Sequence, residues 1–135
     1  CELEGGRRPA MSLKRILVVD DDPGVRFLLR LLFESVGYEV TEAQHGVAAL
    51  IRVKHALPDL VVTDITMPVM DGGQLIKRLK SDTRTAALPI VAISGHPGAK
   101  LAAQAADIVM SKPFNHATLL ATVGSLLVEK QSNAS

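Results

Sequence analysis

The sequence predicts an α/β fold, a doubly wound sandwich in which five parallel strands alternate with five helices. Three observations carry that prediction. Short runs of Val, Ile and Leu recur at Ile16 to Val19, Leu60 to Val62, Ile90 to Ile93 and Ile108 to Met110, and apolar runs of this length suit strands buried on both faces of a parallel sheet. Each run ends in polar groups: Asp20 with Asp21, Thr63 with Asp64, Ser94, and Ser111 with Lys112. Helical patterns separate the runs, and strict alternation with short connections argues for right-handed crossovers.

The elements follow in order. After the first strand, Asp22 is a helix N-cap and Pro23 sits at the first helical position. Val25, Leu28, Leu29, Leu32 and Val36 form the inward face, and Gly37 is the stop. Tyr38 to Ala43 interleaves Tyr38, Val40 and Ala43 with Glu39, Thr41 and Glu42, which places this strand at a sheet edge. A second helix covers Gly46 to His55 with Val47, Leu50 and Ile51 inward, and Pro58 ends any continuation. A third follows Asp71-Gly72-Gly73 and buries Leu75, Ile76 and Leu79. The segment from Gly98 to Ala105 is alanine-rich with Leu101 as its one large apolar residue, so its helix should pack most weakly. The last helix starts from an Asn115 N-cap and carries Leu119, Leu120, Val123, Leu126 and Leu127.

A chain of 135 residues fits one domain with a core of its own. The expected division is a disordered leader or expression remnant at 1–12, a folded unit at 13–129 and a polar, frayed tail at 130–135. Lys and Arg total 15 against 14 Asp and Glu, a net charge of +1, so no global field draws the protein to nucleic acid or an anionic membrane. The single cysteine, Cys1, excludes an internal disulfide framework, and no apolar run approaches the roughly 20 residues of a membrane span. A soluble protein of the cytoplasm is the expectation.

Neighbouring parallel strands would bring Asp20, Asp21, Asp64, Ser94 and Lys112 to one sheet edge, where open α/β folds place their sites. Carboxylates at short range repel unless a cation joins them, and a hard divalent ion such as Mg²⁺ resolves the conflict through oxygen ligands and retained waters. Lys112 is a mobile positive charge suited to a phosphoryl oxygen, and Ser94 can offer a hydroxyl to another. A carboxylate can itself be the nucleophile in phosphoryl transfer, and Asp64 is the best candidate. The histidines His45, His55, His96 and His116 show no metal-ligand spacing and are expected at the surface.

The motifs Leu17-Val18-Val19-Asp20-Asp21-Asp22-Pro23, Thr63-Asp64-Ile65-Thr66-Met67-Pro68-Val69-Met70-Asp71-Gly72, Ile93-Ser94-Gly95 and Ser111-Lys112-Pro113-Phe114 resemble, in order and approximate spacing, the receiver domain of two-component response regulators. The resemblance spans about residues 13 to 128. It implies the flavodoxin-like strand order 2-1-3-4-5. It further implies that Asp64 accepts a phosphoryl group from a sensor histidine kinase or a histidine phosphotransfer protein. Asp20, Asp21, Asp64 and the backbone carbonyl of Thr66 would hold Mg²⁺, Lys112 would contact the phosphoryl oxygen, and Ser94 would relay the switch to a downstream target protein or output domain. Thr66 and His96 would tune the lifetime of the phosphate. The Lys112-Pro113 bond is often cis in relatives. Such a protein is a substrate of signalling rather than a conventional enzyme, with only Mg²⁺-dependent self-phosphorylation and slow dephosphorylation of its own.

Two departures stand out. Val109 occupies the position where the family usually carries an aromatic that reports phosphorylation, and the stretch between Ser94 and Lys112 is short. A receiver-fold docking module that ignores phosphate is therefore the alternative reading. A flavodoxin-like cofactor binder is disfavoured because Asp20, Asp21 and Asp22 would repel a phosphate, and an aspartate phosphatase would want an acid at Thr66. No helix-turn-helix, zinc motif or basic cluster predicts direct contact with nucleic acid, no membrane partner is expected, and a monomer or weak dimer is the expected state.

Overall fold

The computed structural model describes residues 14–65, 72–95 and 106–134. Among the described residues nine elements follow in order: β1 (Arg15–Val19), α1 (Pro23–Ser35), β2 (Glu39–Ala43), α2 (Gly46–His55), β3 (Leu60–Asp64), α3 (Gly72–Ser81), β4 (Ile90–Ser94), β5 (Ile108–Ser111) and α4 (His116–Ala134). All strand pairs are parallel, in the order β2-β1-β3-β4-β5, the order that the resemblance implies, with β2 at an edge. The expected helix over 98–105 lies outside the described residues. Residues 130–134, expected as a tail, continue α4.

The register decides where the chemistry goes. Val19 pairs with Thr63, Asp64 with Ile93, and Ser94 with Ser111, so the carboxyl ends of the four central and right-hand strands are level. β1, β3 and β4 are central and bury both faces, which is why they read as unbroken apolar runs. On one face Leu17, Val19, Val61 and Ala92 pack against Ala49 and Val53 of α2 and Leu75, Ile76 and Leu79 of α3. On the other, Ile16, Val18, Val62 and Val91 pack against Leu29 and Phe33 of α1 and Leu119, Val123 and Leu127 of α4.

Local signals set the helix ends. The Asp22 carboxylate accepts from the Gly24 N–H at 2.8 Å and the Val25 N–H at 3.4 Å, satisfying donors that a helix start leaves free. Gly37 stops the turn with φ of 96°, a conformation that costs other residues. Asn115 caps α4 through the Thr118 N–H at 3.0 Å.

In two helices part of the predicted inward face turns to solvent, while Val25, Leu29 and Leu32 of α1 and Leu50 of α2 pack on the core as the sequence predicts. In α1, Leu28 and Val36 are 38% and 52% exposed, and Leu29 and Phe33 hold the buried stripe. Leucines at 28, 29, 31 and 32 cover so much of the circumference that their pattern does not fix a phase, and burial of the Phe33 ring does. In α2, Val47 and Ile51 face solvent while Gly46, Ala49 and Val53 are buried. Small side chains let that helix lie close to the sheet.

Candidate functional site

Asp20 follows β1 directly and is fixed on three sides. Its N–H donates to the Ala43 carbonyl of β2 at 3.1 Å, its carbonyl accepts from Arg26 Nη1 at 2.7 Å, and its Oδ1 accepts from the Asp22 N–H at 2.9 Å. Arg26 is held there by Glu42, whose other oxygen takes Arg30 Nη1, at 3.0 and 2.9 Å. The Arg30 hydrogen bond, aided by Arg26, draws the Glu42 carboxyl below the usual carboxylate range. Sequence reasoning missed this network. The only local hint was the i, i+4 spacing of the two arginines on α1.

Asp64 closes β3, and the next residue ties β3 to β4 through the Ile65 N–H and the Ile93 carbonyl at 3.1 Å. Lys112 is placed by its own N–H, which donates to the Ser94 carbonyl at 2.8 Å, and the following Lys112-Pro113 bond is cis. Its Nζ reaches Asp64 Oδ1 at 3.4 Å and Asp20 Oδ2 at 3.7 Å. Oxygens of Asp20, Asp21 and Asp64 all lie within 4.8 Å of one another. Ser94 is 2% exposed at the end of β4. Four strand ends thus bring together the acids, the amine and the hydroxyl that the sequence singles out. Thr66 and His96 lie outside the described residues. Val109 is half-buried in β5, paired with Ala92 and packed on the α2–α3 face. His45, expected as a plain surface residue, caps α2: its Nδ1 accepts from the Ala48 N–H at 3.1 Å.

The electrostatics are those of a site short of positive charge. Burial pushes the Asp20 carboxyl up to about 6, with the charges of Asp64 and Asp21 adding to the effect and the Asp22 N–H and Lys112 opposing it. Asp64 is also raised, mainly by burial, against the pull of Lys112. Among the described residues three carboxylates cluster around one ammonium that pairs with two of them, Asp20 and Asp64, which are 3% and 6% exposed. A hard cation with oxygen ligands fits this donor set, because it supplies the missing charge without needing to be fully dehydrated.

An open parallel sheet with acids and a lysine at its carboxyl edge, beside the point where strand order reverses between β1 and β3, defines a class: α/β domains that receive a charged group at the switch point. The comparisons narrow it. Residues 16–124 match the family model described as the response regulator receiver domain, and the chain belongs to that family. It is 34% identical over 119 residues to the DNA-binding dual master transcriptional regulator RpaA of a Synechocystis species, covering 85% of this chain and 49% of that protein. It is 36% identical over 124 residues to response regulator Rre1 of Synechocystis, covering 88% and 54%. The chain therefore spans about half the length of these relatives. The crystal structure of response regulator TrrA from Thermotoga maritima, in complex with Mg(2+)-BeF, superposes with a TM-score of 0.77 at 33% identity, covering 84% of this chain and 99% of that one. The chain is accordingly a receiver domain of two-component response regulators, a family of signalling switches. Among the described residues no helix is long and apolar enough to cross a membrane.

Proposed function

We propose that this chain is a phosphoacceptor receiver that takes a phosphoryl group onto Asp64. The observation that carries the reading is the Lys112 ammonium 3.4 Å from Asp64 Oδ1, with the Asp20 and Asp21 carboxylates within 4.8 Å. Asp64 Oδ bonds to phosphorus as the bond to the donor nitrogen of a phosphohistidine breaks, and charge spread over the phosphoryl oxygens is met by Lys112 and by the Ser94 hydroxyl. Asp20, Asp21, Asp64 and the Thr66 carbonyl would hold Mg²⁺, which when bound supplies positive charge to the phosphoryl oxygens. His96 and Thr66 would set how long the phosphate lasts. The donor would be a sensor histidine kinase or a phosphotransfer protein, the setting the cytoplasm, and the reader a target protein or output domain. The Mg(2+)-BeF complex of TrrA supports the ligand classes.

The half-buried Val109 supports a second reading, in which partner binding ignores phosphate, because no aromatic stands there to swing between two positions. Equal partner affinity with and without beryllofluoride would favour it.

The test is direct. Incubated with Mg²⁺ and acetyl phosphate and weighed intact, the wild-type chain should gain one phosphate while Asp64→Asn gains none, and the gain should vanish on chelation of the metal. A gain in both proteins, or in neither, contradicts the assignment.

A further inference from the structure

Lys112 of the acid cluster also lines an apolar cavity whose other walls the phosphoacceptor reading does not use. This cavity, of about 440 Å³, is lined by Val25 and Leu28 of α1 and by Lys112, Pro113, Phe114 and His116 of the β5–α4 connection. Four of these six are apolar, and the Phe114 and His116 rings, 5.7 Å apart between centroids, stand together. Its size lies within the usual range for small-molecule sites. A second cavity, lined by Arg26, Glu42, Gln44 and Arg52 among others, carries charges of both signs, and a third is lined half by polar residues, Asp107, Thr122 and Ser125, and half by apolar ones, Ile108, Ala121 and Leu126. Neither is lined by any of the four candidate site residues Asp20, Asp21, Asp64 or Lys112. The Leu28 cavity does share one. Lys112 reaches Asp64 with its ammonium and lines the apolar space as well.

An occupant of this joint site must be an anion at one end, to meet Lys112, and apolar at the other, to cover Leu28, Pro113 and Phe114. Resting on the reading of Asp64 as phosphoacceptor, we propose that the cavity takes the apolar acyl group of an acyl phosphate, making this chain selective for hydrophobic acyl phosphates as small-molecule phosphodonors. The chemistry balances without a further reactant. Asp64 Oδ forms a bond to phosphorus, the bond between phosphorus and the acyl oxygen breaks, and its electron pair leaves on that oxygen as a carboxylate, with Lys112 close by to meet the charge. An acetyl group is too small to cover the apolar wall, whereas a benzoyl group can. Burying the larger group as the bond changes therefore favours the larger donor.

The experiment compares initial rates of phosphate gain at Asp64 in Mg²⁺ with acetyl phosphate and with benzoyl phosphate at equal concentration, each corrected for the donor's own hydrolysis. In the wild-type chain benzoyl phosphate should react roughly tenfold faster, the discrimination that a few apolar contacts supply. The ratio should fall to about one in Leu28→Glu and in Phe114→Ala, two changes on different walls, so that a folding defect in one leaves the other to report. Val128→Glu, on the exposed side of α4, should keep the wild-type ratio. A wild-type ratio near one, or a high ratio that survives both Leu28→Glu and Phe114→Ala, overturns the proposal while leaving Asp64 as the acceptor. Phosphate gain from neither donor overturns the reading of Asp64 and this proposal together.

Discussion

Burial lifts the Asp20 carboxyl from its ordinary 3.8 to about 6, and the sign of the consequence is fixed. Between those values the folded chain keeps a proton that the unfolded chain has lost. The Asp20 contribution to stability of the metal-free protein therefore falls as pH rises through about 4 to 6 and recovers on acidification, whereas the lowered Glu42 carboxyl acts in the opposite sense, so the difference between wild type and Asp20→Asn isolates it. The raised Asp64 carboxyl acts in the same sense as Asp20. Urea titrations without Mg²⁺ should show this slope in that difference, and Asp20→Asn should be more stable at pH 7, by on the order of 1–2 kcal/mol. A stability difference between wild type and Asp20→Asn that does not change over this interval would contradict the raised Asp20 carboxyl. With Mg²⁺ the trend should reverse if the ion binds these carboxylates as proposed, because metal and proton then compete for the same oxygens. The residues of this cluster were legible in the sequence because each closes an apolar run, so strand and site are read from one pattern. Arg26 was not, since its contact is to the Asp20 carbonyl, a backbone group that no side-chain pattern reports.

Elements were legible where burial is one-sided or complete. β1, β3 and β4 are enclosed on both faces, and α3 buries the three residues its spacing names, Leu75, Ile76 and Leu79. The phases of α1 and α2 were legible only in part, because leucine surrounds the first and alanine, small enough to face either way, decides the second. Another hidden device is Lys80 on α3. Its Nζ donates to the Ala86 and Leu88 carbonyls at 3.3 and 3.2 Å and pairs with Asp107 at 3.4 Å. Asp107 in turn accepts the Ile90 N–H at 2.7 Å, joining the starts of β4 and β5 across a span of sequence that local patterns do not bridge. Two predictions belong at this scale. Phe33→Ala, deleting a fully buried ring, should lower stability by roughly 3–5 kcal/mol in urea unfolding, whereas Leu28→Ala on the exposed side should change it far less. His45→Ala should cost about 1 kcal/mol by removing the α2 cap, and His45→Asp should restore it. Equal losses in His45→Ala and His45→Asp would show that the cap contributes nothing.

Across the whole molecule, parallel register is what turns scattered residues into one site. Val19 beside Thr63, Asp64 beside Ile93 and Ser94 beside Ser111 put groups from positions 20 to 112 at a common edge. A ligand that binds there stabilises the entire fold. Mg²⁺ at ten times its dissociation constant should add about 1.4 kcal/mol to the unfolding free energy, and Asp21→Asn, which leaves the core untouched, should abolish most of that gain. Whether four strand ends serve a single ligand is read by amide NMR during titration with beryllofluoride in excess Mg²⁺. The amides of Asp21, Ile65, Gly95 and Lys112 should shift along one shared binding curve that saturates at one equivalent and is lost in Asp64→Asn. Separate curves for the β1 and β5 ends, or the same shifts in Asp64→Asn, would contradict a single shared ligand.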